Sequence, residues 1–227
     1  AEVEPEPEPP PGLSPWWRAG DRGVHTVRLV SEGAGGRVGV ATTHEMRWRE
    51  EVLAAAQGRA TRVRRQYERH RIETSIDVGG PRPVTESHVQ PMEGVTVELE
   101  RAGDRWAPVA GDRLFGEVLP RLREMVVAAL PPVEIPRGET WVPDAPFFAR
   151  DGPKTFLVYE ETVAHAGERA ASIRITTPGG GIEGRMLVGL TSRKVFRVEL
   201  EGAFELETAL GDLAGTRRLE ATWEPLR

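Results

Sequence analysis

VGVATTHEMRWR, residues 38–49, decides the fold. Val38, Val40, Thr42, His44, Met46 and Trp48 share one parity, while Glu45, Arg47 and Arg49 share the other, together with Arg37. A period of two is the mark of a strand with one face buried and one face wet. The next stretch, Glu50 to Ser75, is ambiguous. Leu53, Ala56, Ala60, Val63, Tyr67 and His70 fit a helical stripe, yet Gly58 interrupts it, and Thr61, Val63 and Tyr67 share a strand parity. We read two strands around a turn at Gly58, with a basic outer face.

Upstream, Val24 to Ser31 is a strand carrying Val27 and Leu29 on one face, and Gly33, Gly35 and Gly36 make the turn into residue 38. Downstream, Asp77 to Pro91 reads as loop because Gly79, Gly80, Pro81 and Pro83 punctuate it. Val95, Val97 and Leu99 alternate and return through an AGDR turn to Trp106 and Val109. Leu119, Leu122, Met125, Val126 and Ala129 then recur at helical spacing, with Pro120 in the first turn and Pro131-Pro132 as the stop, which predicts one main helix near 120–130. Further strands follow. Phe156–His165 and Arg169–Thr177 form a hairpin across Ala166-Gly167, Met186, Val188 and Leu190 alternate, and a meander ends on Leu219, Ala221 and Trp223. The fold class expected is therefore α+β and mostly antiparallel, a curved sheet or half-barrel with one main helix packed across it.

Residues 1–21 read as an acidic, proline-rich disordered arm and linker, and residues 22–227 as a single β-rich domain. Alternating Glu and Pro from Ala1 to Ser14 supports neither helix nor ladder, so the arm is extended and solvated, as a spacer or an inert tail. Trp16 and Trp17 follow it, and at least one of them is expected to dock on the body.

Composition excludes several functions. The net charge is −5, which argues against a nucleic-acid partner. The chain has no cysteine, hence neither disulfides nor thiolate metal sites. No apolar run is long enough to span a bilayer. His25, His44, His70, His88 and His165 show no metal-ligand spacing, no serine lies in a nucleophile elbow, and PGGGIEG (178–184) lacks the Lys-Ser or Lys-Thr of a phosphate loop. Glu160 and Glu161 alternate across their strand, with carboxylates on opposite faces, and are poor candidates for a cooperating acid-base pair. The sequence reads as non-catalytic and without cofactor. RATRVRRQYERHR (59–71) carries six arginines around Tyr67, an arrangement that reads as a solvated strand face.

LPPVEIPRGETWVPDAP (130–146) resembles the LPxxPVxxGDxW-type segment of exported bacterial β-rich proteins of unknown function, with Glu139 where that pattern has aspartate. QPMEGVTVELERAGDRW (90–106) and LVGLTSRKVFRVELEG (187–202) are similar to strands of the same proteins. The resemblance extends distantly to the half-barrel lipoprotein carriers of the bacterial envelope. It implies an exported, periplasmic or cell-surface location and a curved sheet that, with a lid helix, encloses an apolar cavity for an acyl chain or another hydrophobic small molecule. Met46, Trp48, Met125, Trp141, Phe147 and Phe148 are the side chains expected to line that pocket. The other reading is a protein–protein interaction module of the envelope with a filled core.

Overall fold

The hairpin at Gly58 organises the sheet. Gln57 (φ 50°) and Gly58 (φ 72°) both adopt left-handed backbone, the conformation a two-residue turn needs to match the twist of its strands. A Cβ at Gly58 would overlap the Trp16 ring at 2.1 Å, so the position also demands the absence of a side chain. From this turn two long strands run back, β2 (Val38–Ala56) and β3 (Arg59–Asp77). The computed structural model describes residues 12–13, 15–79, 82–102, 105–110, 136–143, 154–208 and 211–226. The other strands are β1 (Arg22–Gly35), β4 (Val84–Val89), β5 (Thr96–Ala102), β6 (Arg105–Ala110), β7 (Thr140–Trp141), β8 (Phe156–His165), β9 (Glu168–Thr176), β10 (Ile182–Gly189), β11 (Val195–Thr208) and β12 (Gly211–Pro225).

All are antiparallel and belong to one 12-stranded sheet with the order β6-β5-β3-β2-β1-β12-β11-β10-β9-β8-β7, and β4 pairs with β3 beside that path. The first and last long strands close its middle, β1 against β12, with Val27 opposite Ala221 and Leu29 opposite Leu219. The sheet is open. Its terminal strands β6 and β7 do not meet, and among the described residues the only helical element is a 3-10 turn at Pro178–Gly180. The expected α+β half-barrel with a main helix across it is corrected accordingly. The described fold is a curved, open, antiparallel β-sheet, and the stretch read as a helix, near 120–130, lies outside the described residues, as does Met125.

Curvature is fixed by a short strap. Trp16 N–H donates to Arg193 O (3.3 Å) and Trp17 N–H donates to Gly58 O (2.7 Å). One dipeptide thus joins the tips of the β2–β3 and β10–β11 hairpins, whose axes lie four inter-strand steps apart. On a flat sheet that separation is about 19 Å, so the two hairpins must lean together. Lys194, in the second tip, is buried; its Nζ donates to Trp16 O (2.6 Å) and to Asp21, and lies 3.6 Å from the centre of the Trp17 ring.

The inner face carries one apolar cluster that reaches from Leu99 and Trp106 on β5 and β6 to Leu157 on β8, through Met46, Trp48, Val63, Tyr67, Ile173, Met186 and Val198. A buried ion pair sits inside it. Arg65 is 1% exposed and Glu50 is 3% exposed, directly opposite each other on β3 and β2, with Nε to Oε2 at 2.7 Å. The guanidinium lies 5.8 Å from the ring centres of both Trp48 and Trp106, and His25 stacks on Trp48 at 4.8 Å. The basic run at 59–71 is thus not wholly a solvated face, because Arg65 shares the parity of Val63 and Tyr67 and points inward.

Removing one partner of a buried pair strands the other charge. Glu50→Ala is expected to destabilise the protein by about 3–5 kcal/mol, whereas Glu50→Met combined with Arg65→Met should recover most of that loss. Urea denaturation of the three proteins checks this; a single substitution no worse than the double one would contradict it.

Candidate interaction edge

Strand β3 needs a hydrogen-bonding partner on each side. On one side β2 pairs along nearly its whole length. On the other side two shorter strands divide that length between them. β5 pairs with Arg62 to Gln66, and β4 pairs with Arg71 to Ile76. Between them residues 90–95 make a corner. Gln90 N–H donates to His70 O (2.8 Å), Gly94 N–H to Tyr67 O (2.8 Å), and Tyr67 N–H to Val95 O (2.9 Å). Met92 is buried in the core, and the Glu93 carboxylate accepts from the His70 N–H (3.0 Å) and from Arg71 (3.2 and 3.3 Å). These bonds, that of Arg71 foremost, hold Glu93 below the usual carboxylate range.

β6 covers β5 but not β4. All six residues of β4 are exposed, and among the described residues no strand pairs with its outer edge. Hydrogen-bonding direction alternates along a strand. Because Gln90 donates toward β3, His88, Glu86 and Val84 also turn their backbone groups toward β3, and those of Thr85, Ser87 and Val89 point outward. Pro83 and Pro91 bracket this free window. Apolar side chains accompany it. On the inner side, Val40, Ile76 and Val84 form one cross-strand row in which Ile76 is 40% and Val84 60% exposed; Val89, 59% exposed, lies on the outer side.

The pocket residues expected from sequence fall elsewhere. Met46 and Trp48 are each 4% exposed within the core cluster, and Trp141, on the terminal strand β7, packs partly buried against the same cluster. Met125, Phe147 and Phe148 lie outside the described residues. The open clefts lined by described residues contain none of Met46, Trp48 and Trp141. One, of 620 Å³ between Arg174, Arg185, Glu199 and Glu201, has walls already ion-paired, Glu160 to Arg174 and Arg185, and Glu201 to Arg218. No His, Asp or Glu group suited to a metal occurs among the described residues, nor is any described helix long and apolar enough to cross a membrane. The β4 edge escaped the sequence reading, which took Asp77 to Pro91 as loop; the β-branched Val84, Thr85 and Val89 were the available signal.

No family model and no curated protein matches the chain. Among solved structures, the chain is similar to lipovitellin, described for its lipid–protein interactions, with a TM-score of 0.51 at 9% identity over 92% of this chain. The chain spans 25% of lipovitellin's length. A DUF1329 family protein from Desulfovibrio piger shows a TM-score of 0.24 at 7% identity, over 91% of this chain and 84% of that one. The first likeness is one of fold alone; the second is too distant to carry an argument. The chain is thus distantly similar in fold to part of lipovitellin. The expected lipid carrier with a half-barrel cavity is corrected as well: the sheet is not rolled into a half-barrel, and the described inner face is occupied by its own side chains.

One further polar pair lies near this edge. His44 and His70 face each other with Nε2 to Nε2 at 2.9 Å and ring centres 5.1 Å apart, so the rings meet end to end and share one proton. Burial holds both below the ordinary imidazole value, and for His70 the charge of His44 adds to the effect. A histidine with a depressed native value is neutral in the folded state while the unfolded chain already takes a proton. Stability is therefore fully present above about pH 6.5 and is lost as pH falls below it. The melting temperature is expected to drop between about pH 7 and pH 5, and His44→Leu with His70→Leu should flatten that slope. An unchanged slope in the double variant would contradict the assignment.

Proposed function

We propose that the chain is a non-catalytic interaction module that takes an extended protein segment as an added strand on β4. The observation that carries this reading is the bare edge of β4, where three consecutive outward-facing residues, Thr85, Ser87 and Val89, have no partner strand among the described residues. Natural sheets blunt such edges with charge, proline or a covering element, since an open edge recruits another strand. Here Pro83 and Pro91 restrict the window but leave its centre free. Strand addition uses main-chain bonds for affinity and alternate side chains for selection. Val84 and Ile76 on one side and Val89 on the other supply the apolar surface for that selection. The filled inner face supports the same reading, because a rigid sheet holds the edge in a fixed twist.

A displayed library of ten-residue peptides tests this. The selected sequences are expected to be proline-free and to alternate apolar residues. Ser87→Pro should weaken their binding by about tenfold or more, since it removes an outward donor and leaves the bonds toward β3 in place. Failure to select any such peptide, or equal binding by the Ser87→Pro protein, would contradict the proposal.

A further inference from the structure

We infer that one strand fitting the β4 edge is β4 of a second copy of this chain, paired antiparallel about Ser87 to join two sheets. The inference rests on the strand-addition reading and names its partner. Two identical antiparallel edges are related by a two-fold axis normal to the sheet, which must pass between one residue and its own copy. Three registers keep most of the window paired. Centring on Glu86 sets that carboxylate against its twin, a destabilising like-charge pair, and sets Pro83 opposite Val89, where a donor is needed. Centring on His88 sets Pro91 opposite Thr85, with the same loss of a donor.

Centring on Ser87 has neither defect. Pro83 then falls opposite Pro91, just beyond the paired segment at both ends, so the whole free window from Val84 to Gln90 is used. The outward-facing residues oppose each other, Thr85 against Val89 and Ser87 against Ser87, so that each outward N–H meets a carbonyl of the other strand. Glu86 opposes His88 on the inner side, once in each direction. Within one chain these two already approach at 3.3 Å while largely exposed, so the carboxylate and imidazole are free to exchange that contact for the cross-chain one. The segment is self-complementary in donors, in proline placement and in side-chain chemistry. The contact is short, which places it in the weak, reversible class of interfaces.

Sedimentation velocity from about 10 µM to about 1 mM reads the equilibrium. A concentration-dependent monomer–dimer equilibrium is expected. Ser87→Pro should weaken it about tenfold or more, and so should His88→Glu, which sets two carboxylates opposite each other in both directions. Glu86→Lys combined with His88→Glu should restore association, because lysine then opposes glutamate. Thermal melts of each variant establish that the fold is intact, as expected for exposed positions. A wild-type protein that stays monomeric throughout, or a dimer indifferent to all three variants, would overturn the inference. If the protein stays monomeric while selected peptides still bind the edge in a Ser87-dependent way, self-pairing falls and the proposed function stands; if the peptides fail too, both fall.

Discussion

Backbone hydrogen bonding along β3 is the constraint on which the rest of this edge depends. β3 runs 19 residues, and every buried donor and acceptor along it needs a partner. The Gly58 turn supplies β2 for one side. The other side is covered by a chain segment that breaks at residues 90–95, where Met92 enters the core and Glu93 ties the corner to His70 and Arg71. Covering β3 in two pieces gives β5 a following hairpin partner and leaves β4 without one among the described residues. The open edge is thus a consequence of how a long strand is satisfied, and it sits on a corner held by a carboxylate and main-chain bonds.

The curved body has a different role from that expected of a carrier. The strap through Trp16 and Trp17 draws two hairpin tips together, and Lys194 anchors it with three contacts at once. Along the inner face, apolar side chains from both halves of the sheet form one cluster, and the Arg65–Glu50 pair lies within it beside Trp48 and Trp106. A buried pair of this kind contributes little net stability relative to apolar residues of the same size, but it disfavours arrangements that leave either charge alone. Glu50 and Arg65 stand opposite each other in the register of β2 on β3, whereas the β4 window is placed by its own pairing with Arg71 to Ile76.

Much of the sheet was legible in the sequence. The strand read at 38–49, the Gly58 turn, the Ala166-Gly167 hairpin and the final meander all appear in the structure, because where one face of a strand is buried its side chains alternate; in β2 that burial alternates from Met46 to Glu50, while 38–45 are half-buried throughout. β4 was not legible for the same physical reason: with both faces exposed there is no alternation to see, and the flanking prolines and glycines dominate the pattern. Arg65 was hidden by its type. Parity places it with Val63 and Tyr67, and counting back equally from the Gly58 turn sets it against Glu50, but a run of six arginines invites a surface reading. The expected pocket combined core residues, Met46 and Trp48, with positions outside the described structure, and an apolar parity does not distinguish a filled core from a cavity lining.

The central claim is that β4 pairs on one side only. Amide hydrogen exchange on dilute protein measures this residue by residue, since a bonded amide is protected and an outward one is not. The account predicts that Glu86 and His88 amides exchange slowly while those of Thr85, Ser87 and Val89 exchange at rates close to those of an unstructured peptide. Slow exchange at Thr85, Ser87 and Val89 in the dilute monomer would show that the chain covers this edge itself, and would contradict the account.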